Sequence, residues 1–489
     1  MYSTPAAHET AFTSWQDHTS AAKIDTDNFV HTLLRKAYPE THIVRTTPSK
    51  CDLIGFANAG HAKAVSVAWD GFDALRVYKA PPSRLDSAFG RLENVVNFGL
   101  WNYKFETRNF RVYEVSYLDR FSRIAKLLYI LCPVLESHSH NVVVDHLLKH
   151  AGRWTAEAHD EVWVFDSARW SKNKELWASV QQSSWEDVIV SPEVRKKLSQ
   201  DVDDFFDSRD SYEKFRIPWK RGIIFHGVPG VGKTLFIKML MKSVAARPTP
   251  VPTLYVKSLD SCAGPKWSIQ QIFKKARRQA PCLLVFEDLD SLVSDGARSY
   301  FLNEVDGLNN NDGILMIGST NHLDQLDPSV TKRPSRFDRK YHFELPTEQE
   351  RLAYCHYWRH KMPDADEVGF SEEICSVVAR LTDGFSFAYL KELFVGSLLL
   401  IAGGEPDGVM DDNLGQTTDA GDMDTDSALP SVDIPDSVRD SKLFSTLESQ
   451  IRELLQDMKH VGDSTGPKPG DSRPPPPIYR MQSMLDDSD

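Results

Sequence analysis

The sequence predicts an α/β protein: a parallel sheet with crossover helices and a helical lid, preceded by a mixed α+β domain and followed by an acidic disordered segment. Three observations predict it. Short apolar strands and helical stretches alternate from Gly222 onward. A glycine-rich loop joins the first of those strands to the next helix. After Gly403 the composition turns acidic and loses its aromatics. Alternation of this kind makes parallel strands joined by helices that cross over between them.

Taken in order, residues 1–184 read as the α+β domain, a candidate surface for recognising a substrate or partner. Segments 64–69, 75–79, 110–117 and 161–165 are short and rich in Val, Tyr, Phe and Trp, as strands are. Segments 27–37 and 142–151 show helical spacing. The apolar runs 124–135 and 393–402 fall short of the ~18 residues a spanning helix needs and read as buried helices, so no membrane segment is expected.

Residues 185–348 read as the large α/β subdomain. Ser191-Pro192 offers an N-cap and an N1 proline, so a helix should run to about 206. Strands are expected at 222–226, 253–256, 282–286 and 314–319, with helices at 235–244, 269–279 and 299–305 between them. Residues 349–403 read as a helical lid ending at Gly403-Gly404, and 404–440 as an acidic disordered insertion. Apolar residues then recur at helical spacing through 441–461, the expected closing helix of the lid, before a flexible tail at 462–489.

Of the net charge of −12, −10 lies in 405–440, which leaves only −2 on the rest of the chain. No basic stripe remains to neutralise phosphates, so no nucleic-acid partner is expected. The six cysteines are widely spaced, with no CxxC pair. They read as reduced thiols of an intracellular, cytoplasmic protein, with mitochondrion and nucleus left open.

The chemistry gathers in two places. Gly227, Val228, Pro229, Gly230, Val231, Gly232, Lys233 and Thr234, then Leu235, fit G-x-x-x-x-G-K-[ST] between an apolar strand and a helix. Glycines let backbone N–H groups curl around phosphate oxygens, Lys233 reaches the β- and γ-phosphates, and the Thr234 hydroxyl sits on Mg²⁺. The strand 282–286 ends in Glu287-Asp288-Leu289-Asp290, and carboxylates at a parallel strand end beside a phosphate loop suit a Walker B site. ATP and Mg²⁺ are therefore the expected ligands.

At this point the chain resembles the classical AAA ATPases over about 185–403. The resemblance puts Glu287 on the metal position and Asp288 on the catalytic one, the reverse of the usual order of acids. It is similar in this to the mitochondrial AAA factor that assembles the cytochrome bc complex, and WKRGIIFHG with GFSFAYLKEL resembles a fungal-type branch. Gly318-Ser319-Thr320-Asn321 resembles sensor 1, which implies that Asn321 places the attacking water. Arg333 and Arg336 fall on the arginine-finger positions. Gly384 and Ala388 match the lid motif that closes over adenosine, and Asp187-Val188 match the linker strand near the base. Fingers that act across subunits imply a ring homo-oligomer, most often a hexamer, working on an unidentified protein substrate.

One stretch departs from that pattern. Cys262-Ala263-Gly264 stand where an aromatic pore loop is expected, and Trp267 either substitutes from beyond the glycine or is a buried helix-start residue. The leading expectation is an ATPase that remodels proteins or protein complexes. Its rival is a nucleotide-gated assembly module with little turnover. A small-molecule kinase is disfavoured, because it has no use for sensor 1, paired fingers or the lid motif.

Overall fold

The structure, a computed structural model, describes residues 25–67, 73–81, 89–118, 123–133, 142–293, 295–307, 310–331, 333, 336–362, 369–403, 430 and 432–463. The expectations for 404–429 and for the tail from 464 lie outside these residues. The chain divides into two compact units, Met1–His159 and Asp160–Asp489.

The first unit is built on an antiparallel sheet: β1 (Thr41–Thr46), β2 (Lys63–Ser66), β3 (Asp73–Lys79), β4 (Arg91–Phe105), β5 (Arg108–Leu118) and β6 (Ile124–Pro133). The order is β1-β6-β5-β4-β2, and β3 pairs with the first half of β4. Helices α1 (Thr26–Ala37), α2 (Leu53–Asn58) and α3 (Val142–Ala156) complete it. Alternating side chains split between two faces. Tyr103, Phe105, Val112, Ile130 and Cys132 pack with α2 and α3 on one; Leu100, Tyr113, Tyr129 and Leu131 meet Val30 and Leu34 of α1 on the other. This corrects the expectation for 124–135, which is a strand over its described part and not a helix. Strand β6 lies between β1 and β5 with helices over both faces, so every position of its centre is apolar and no alternation shows.

The second unit holds the parallel sheet: β7 (Val162–Asp166), β8 (Arg169–Asn173), β9 (Lys220–His226), β10 (Thr253–Val256), β11 (Cys282–Phe286), β12 (Ile314–Thr320) and β13 (Arg339–His342). Its order is β13-β9-β12-β11-β10-β7-β8, and all pairs are parallel except β7 with β8. The boundary expected at 184 thus falls at 159: strand 161–165 belongs to this sheet, where it runs beside β10. The helices are α4 (Lys174–Gln182), α5 (Pro192–Asp207), α6 (Arg209–Phe215), α7 (Lys233–Ala245), α8 (Pro265–Gln279), α9 (Leu289–Leu292), α10 (Asp295–Asp306) and α11 (Pro328–Thr331). Cys282, Leu284 and Phe286 face α8 and α10, while Leu283 and Val285 face α5 and α7. Two covered faces explain the unbroken apolar strands. Of Asp187-Val188, expected in a linker strand, Asp187 instead closes a single 3₁₀ turn (Trp185–Asp187), while Val188 is extended. The cause is local. Ser184 and Asp187 cap each other reciprocally, which stabilises a turn over an extended chain.

The lid comprises α12 (Glu348–Lys361), α13 (Glu372–Leu381), α14 (Phe387–Gly403), α15 (Asp436–Arg439) and α16 (Lys442–Asp463). Leu443, Leu447 and Ile451 of α16 share one core with Leu390, Leu393 and Phe394 of α14. The insertion ends earlier than expected. Val432 and Ile434 pack on this core and Val438 is fully buried in it, so apolar contact begins before 440 despite the surrounding acids. Among the described residues, no helix is long and apolar enough to cross a membrane.

Candidate functional site

The loop from β9 into α7 carries the phosphate motif. Gly232 takes a left-handed φ of 94° at the N-cap of α7, makes no side-chain cap and has open space where a Cβ would be. That leaves the backbone N–H groups of the helix N-terminus free to meet an anion. Gly230, with a left-handed φ of 80°, has a second reason as well. A Cβ there would lie 2.6 Å from the Ala388 Cβ, because the lid rests on the loop and the Ala388 N–H donates to the Gly230 carbonyl at 3.2 Å.

Lys233 is only 7% exposed. Its Nζ donates to the carbonyls of Gly227 (2.6 Å) and Val228 (2.9 Å) and to Asn321 Oδ1 (2.8 Å). Burial pushes the ammonium below its usual range, while the carboxylates of Asp288 and Asp290 act the other way. Asn321 reaches it from 88 residues away because β12 lies beside β9 in the sheet.

At the end of β11 the two acids part company. Tyr255 donates its hydroxyl to Glu287 Oε2 at 2.6 Å, and Oε1 is buried with no hydrogen-bond partner. Asp288 adopts a left-handed φ of 50°, at a cost of ~1 kcal/mol, and its N–H donates to Ser319 Oγ at 3.3 Å. Asp290 accepts from Thr320 Oγ1 at 2.7 Å.

Lys233, Asp288, Ser319 and Asn321 line a cavity of about 570 Å³, a size suited to a cofactor-sized ligand. Of the expected site residues, Asp187, Val188, Pro229 through Leu235, Asp288, Asn321 and Ala388 line it. Gly227 and Val228 take part through their carbonyls on Lys233, and Gly384 (φ 80°) turns the chain into α14 ahead of Ala388. Glu287 lines an adjoining cavity of about 420 Å³ that shares Asp288 with the first.

Arg333 and Arg336 do not line the cavity. Arg336, 6% exposed, donates Nε and Nη2 to the Asp306 carboxylate at 2.8 and 2.7 Å and Nη1 to the Ser329 carbonyl at 2.5 Å. Arg333 is 62% exposed and touches Asp306 through one contact of 3.3 Å. Trp267, in the first turn of α8, is 38% exposed and so is not a buried helix-start residue.

Sequence reasoning missed Tyr255, Tyr354, Phe387 and Lys391. Tyr354, Phe387 and Lys391 line the cavity from the lid. Tyr357, also missed, donates to Asp187 Oδ1 at 2.8 Å and so ties α12 to the 3₁₀ turn. Phe387 and Lys391 lie within the GFSFAYLKEL stretch, so that motif could have flagged them; the register of β10 beside β11 is the signal that could have found Tyr255, which pairs with Val285 two residues before Glu287.

The residues present suit Mg²⁺. Thr234 and Asp288 line one cavity, and Glu287, on the adjoining one, keeps a buried oxygen without a hydrogen-bond donor. Hard oxygen donors of this kind are what Mg²⁺ selects.

A glycine-rich loop leading into a helix, with carboxylates at the end of β11 one strand beyond the adjacent β12, defines a P-loop nucleotide-binding α/β fold. Residues 223–345 match the ATPase family associated with various cellular activities (AAA). Over that stretch, about a quarter of the chain, the sequence is similar to an AAA ATPase domain.

Proposed function

We propose that this chain binds ATP with Mg²⁺ and hydrolyses it, and that it works as a ring homo-oligomer, in the family's usual form a hexamer, to remodel proteins or protein complexes. The observation that carries the reading is the hydrogen bond from Lys233 to Asn321 beside Asp288, which brings three strand ends to one cavity. Lys233 exchanges its bonds to the Gly227 and Val228 carbonyls for phosphate oxygens. Asn321 is then released to orient the attacking water. Asp288 accepts that water's proton on its carboxylate, and Thr234 and Glu287 hold the metal. Mg²⁺, when bound, neutralises charge developing on the β- and γ-phosphates. The exchanged order of acids supports kinship with the mitochondrial assembly factor and the fungal-type branch. A cytoplasmic setting remains part of the proposal.

Steady-state phosphate release, with nucleotide binding measured beside it, tests the assignment. Lys233→Ala should weaken ATP binding. Asp288→Asn should bind ATP normally yet lose turnover by about two orders of magnitude or more, the effect of removing a positioned general base. Unchanged turnover in Asp288→Asn would move the base elsewhere. Negligible turnover in the unaltered chain would favour the nucleotide-gated assembly module.

A further inference from the structure

The first unit carries a further cavity, of about 480 Å³, on the sheet face that α1 packs against. Directly paired residues on antiparallel strands project to the same face. The register therefore places Lys63 opposite Lys104, Asn102 opposite Arg111, and Arg111 opposite Leu131 on the wall of this cavity. Three cations meet there, and no aspartate or glutamate lines the space. None of the three makes an ion pair with a described residue.

Two details separate this cluster from an ordinary solvated face. Lys63 lies on an edge strand, where a lysine serves to discourage unwanted pairing. That reason does not extend to Lys104 and Arg111, which lie on the interior strands β4 and β5. Like charges directly opposed across a strand pair destabilise it, so the Lys63–Lys104 pair costs stability, and among the described residues neither lysine has a carboxylate partner that offsets the cost. Arg111 is also held in place. Its guanidinium lies 5.7 Å from the centre of the Tyr38 ring, and Tyr38 is fixed by a 2.6 Å hydroxyl contact with the buried Tyr113. A positioned guanidinium suits a phosphate or carboxylate, which it can bind through two parallel hydrogen bonds. Val65, Leu131 and Pro133 give the same cavity an apolar side.

We propose that this cavity binds a small organic anion, a phosphate or carboxylate group on an apolar body, with Lys63, Lys104 and Arg111 taking the charged end. The site is independent of the ATPase reading. Its volume falls within the range of small-molecule pockets. The anion neutralises the opposed lysines, so occupancy stabilises the sheet.

Amine acetylation of the full-length chain, quantified lysine by lysine with mass spectrometry, tests this with phenyl phosphate as the probe. Lys63 and Lys104 should be protected while Lys79, outside the cavity, is not. Arg111→Gln should raise the probe concentration needed by about tenfold or more, the loss expected for one charge-assisted contact. Lys63→Glu should abolish protection of Lys104 and at the same time raise the urea midpoint, because an opposed like pair becomes an opposite one. Vesicles containing phosphatidic acid form a second arm: protection by vesicles assigns the anion to a lipid headgroup, and protection by phenyl phosphate alone to a soluble metabolite. The proposal is overturned if Lys63 and Lys104 are labelled no differently from Lys79. It also fails if inorganic phosphate protects as well as phenyl phosphate, or if Lys63→Glu still protects Lys104.

Discussion

Arg333 and Arg336 lie three residues apart, yet the fold gives them different work. Arg336 is enclosed, with all its described bonds inside its own subunit, to Asp306 and to the Ser329 carbonyl. Arg333 is mostly exposed and loosely held. A guanidinium that must meet a neighbour's γ-phosphate has to be free to leave its resting partner, so Arg333 is the better candidate for the finger. Arg336 instead anchors the segment that presents it. Arg336→Ala should then cost about 1–3 kcal/mol, because it leaves the Ser329 carbonyl without this donor and the Asp306 carboxylate with the loose Arg333 contact. Urea unfolding should show it as a lower midpoint with an unchanged slope. Arg333→Ala should leave that midpoint within about 0.5 kcal/mol, as exposed substitutions do, while lowering turnover. The reverse pattern would exchange the two roles.

Elements follow the same logic in the lid. Helix α16 buries Leu443, Phe444, Leu447 and Ile451 against α14, and Val438 anchors the short helix ahead of it. Removing 405–429 should leave ATP turnover largely intact, since the described core of the lid is built from residues outside that stretch. Truncation before 432 should expose that core and lower solubility or assembly, which gel filtration beside the activity measurement would detect. Equal behaviour of the two would refute the division. The lid and the phosphate loop were legible in the sequence because their constraints are local: a helical repeat of apolar residues, a glycine where φ must be positive, a lysine opening a helix. Strand β6 was not, because burial on both faces erases the period that separates strand from helix. Strand β7 was recognised as a strand but placed in the wrong unit, since its partner β10 comes some 90 residues later and no local pattern records a partner's identity. Tyr255 escaped for the same reason. Its role exists only across the β10–β11 pairing.

At the scale of the whole molecule the open question is how a turnover cycle does work. Gripping an extended chain needs contact area, and an aromatic side chain buries on the order of 150–250 Å² when fully packed, well beyond Cys or Ala. Trp267 stands exposed at the start of α8, next to Lys266 and just beyond the loop where a grip is expected. If the proposed remodelling runs through this loop, Trp267→Ala should abolish it and leave basal turnover near normal; if both are unaffected, the central loop does not grip. The ring itself can be tested without a substrate. If Arg333 completes the site of a neighbour, turnover per subunit should rise with protein concentration as subunits assemble, because a head-to-tail contact supplies each site with its missing cation. Arg333→Ala subunits keep an intact phosphate loop but lack the finger, and Lys233→Ala subunits keep the finger but lack the loop. Each alone should be nearly inactive. Mixed, they form some interfaces in which an intact loop faces an intact finger, so part of the turnover should return and should peak near equal proportions. Full-rate hydrolysis by a strictly monomeric sample, or a mixture no more active than its components, would show that each subunit completes its own site and that the ring is not needed for chemistry.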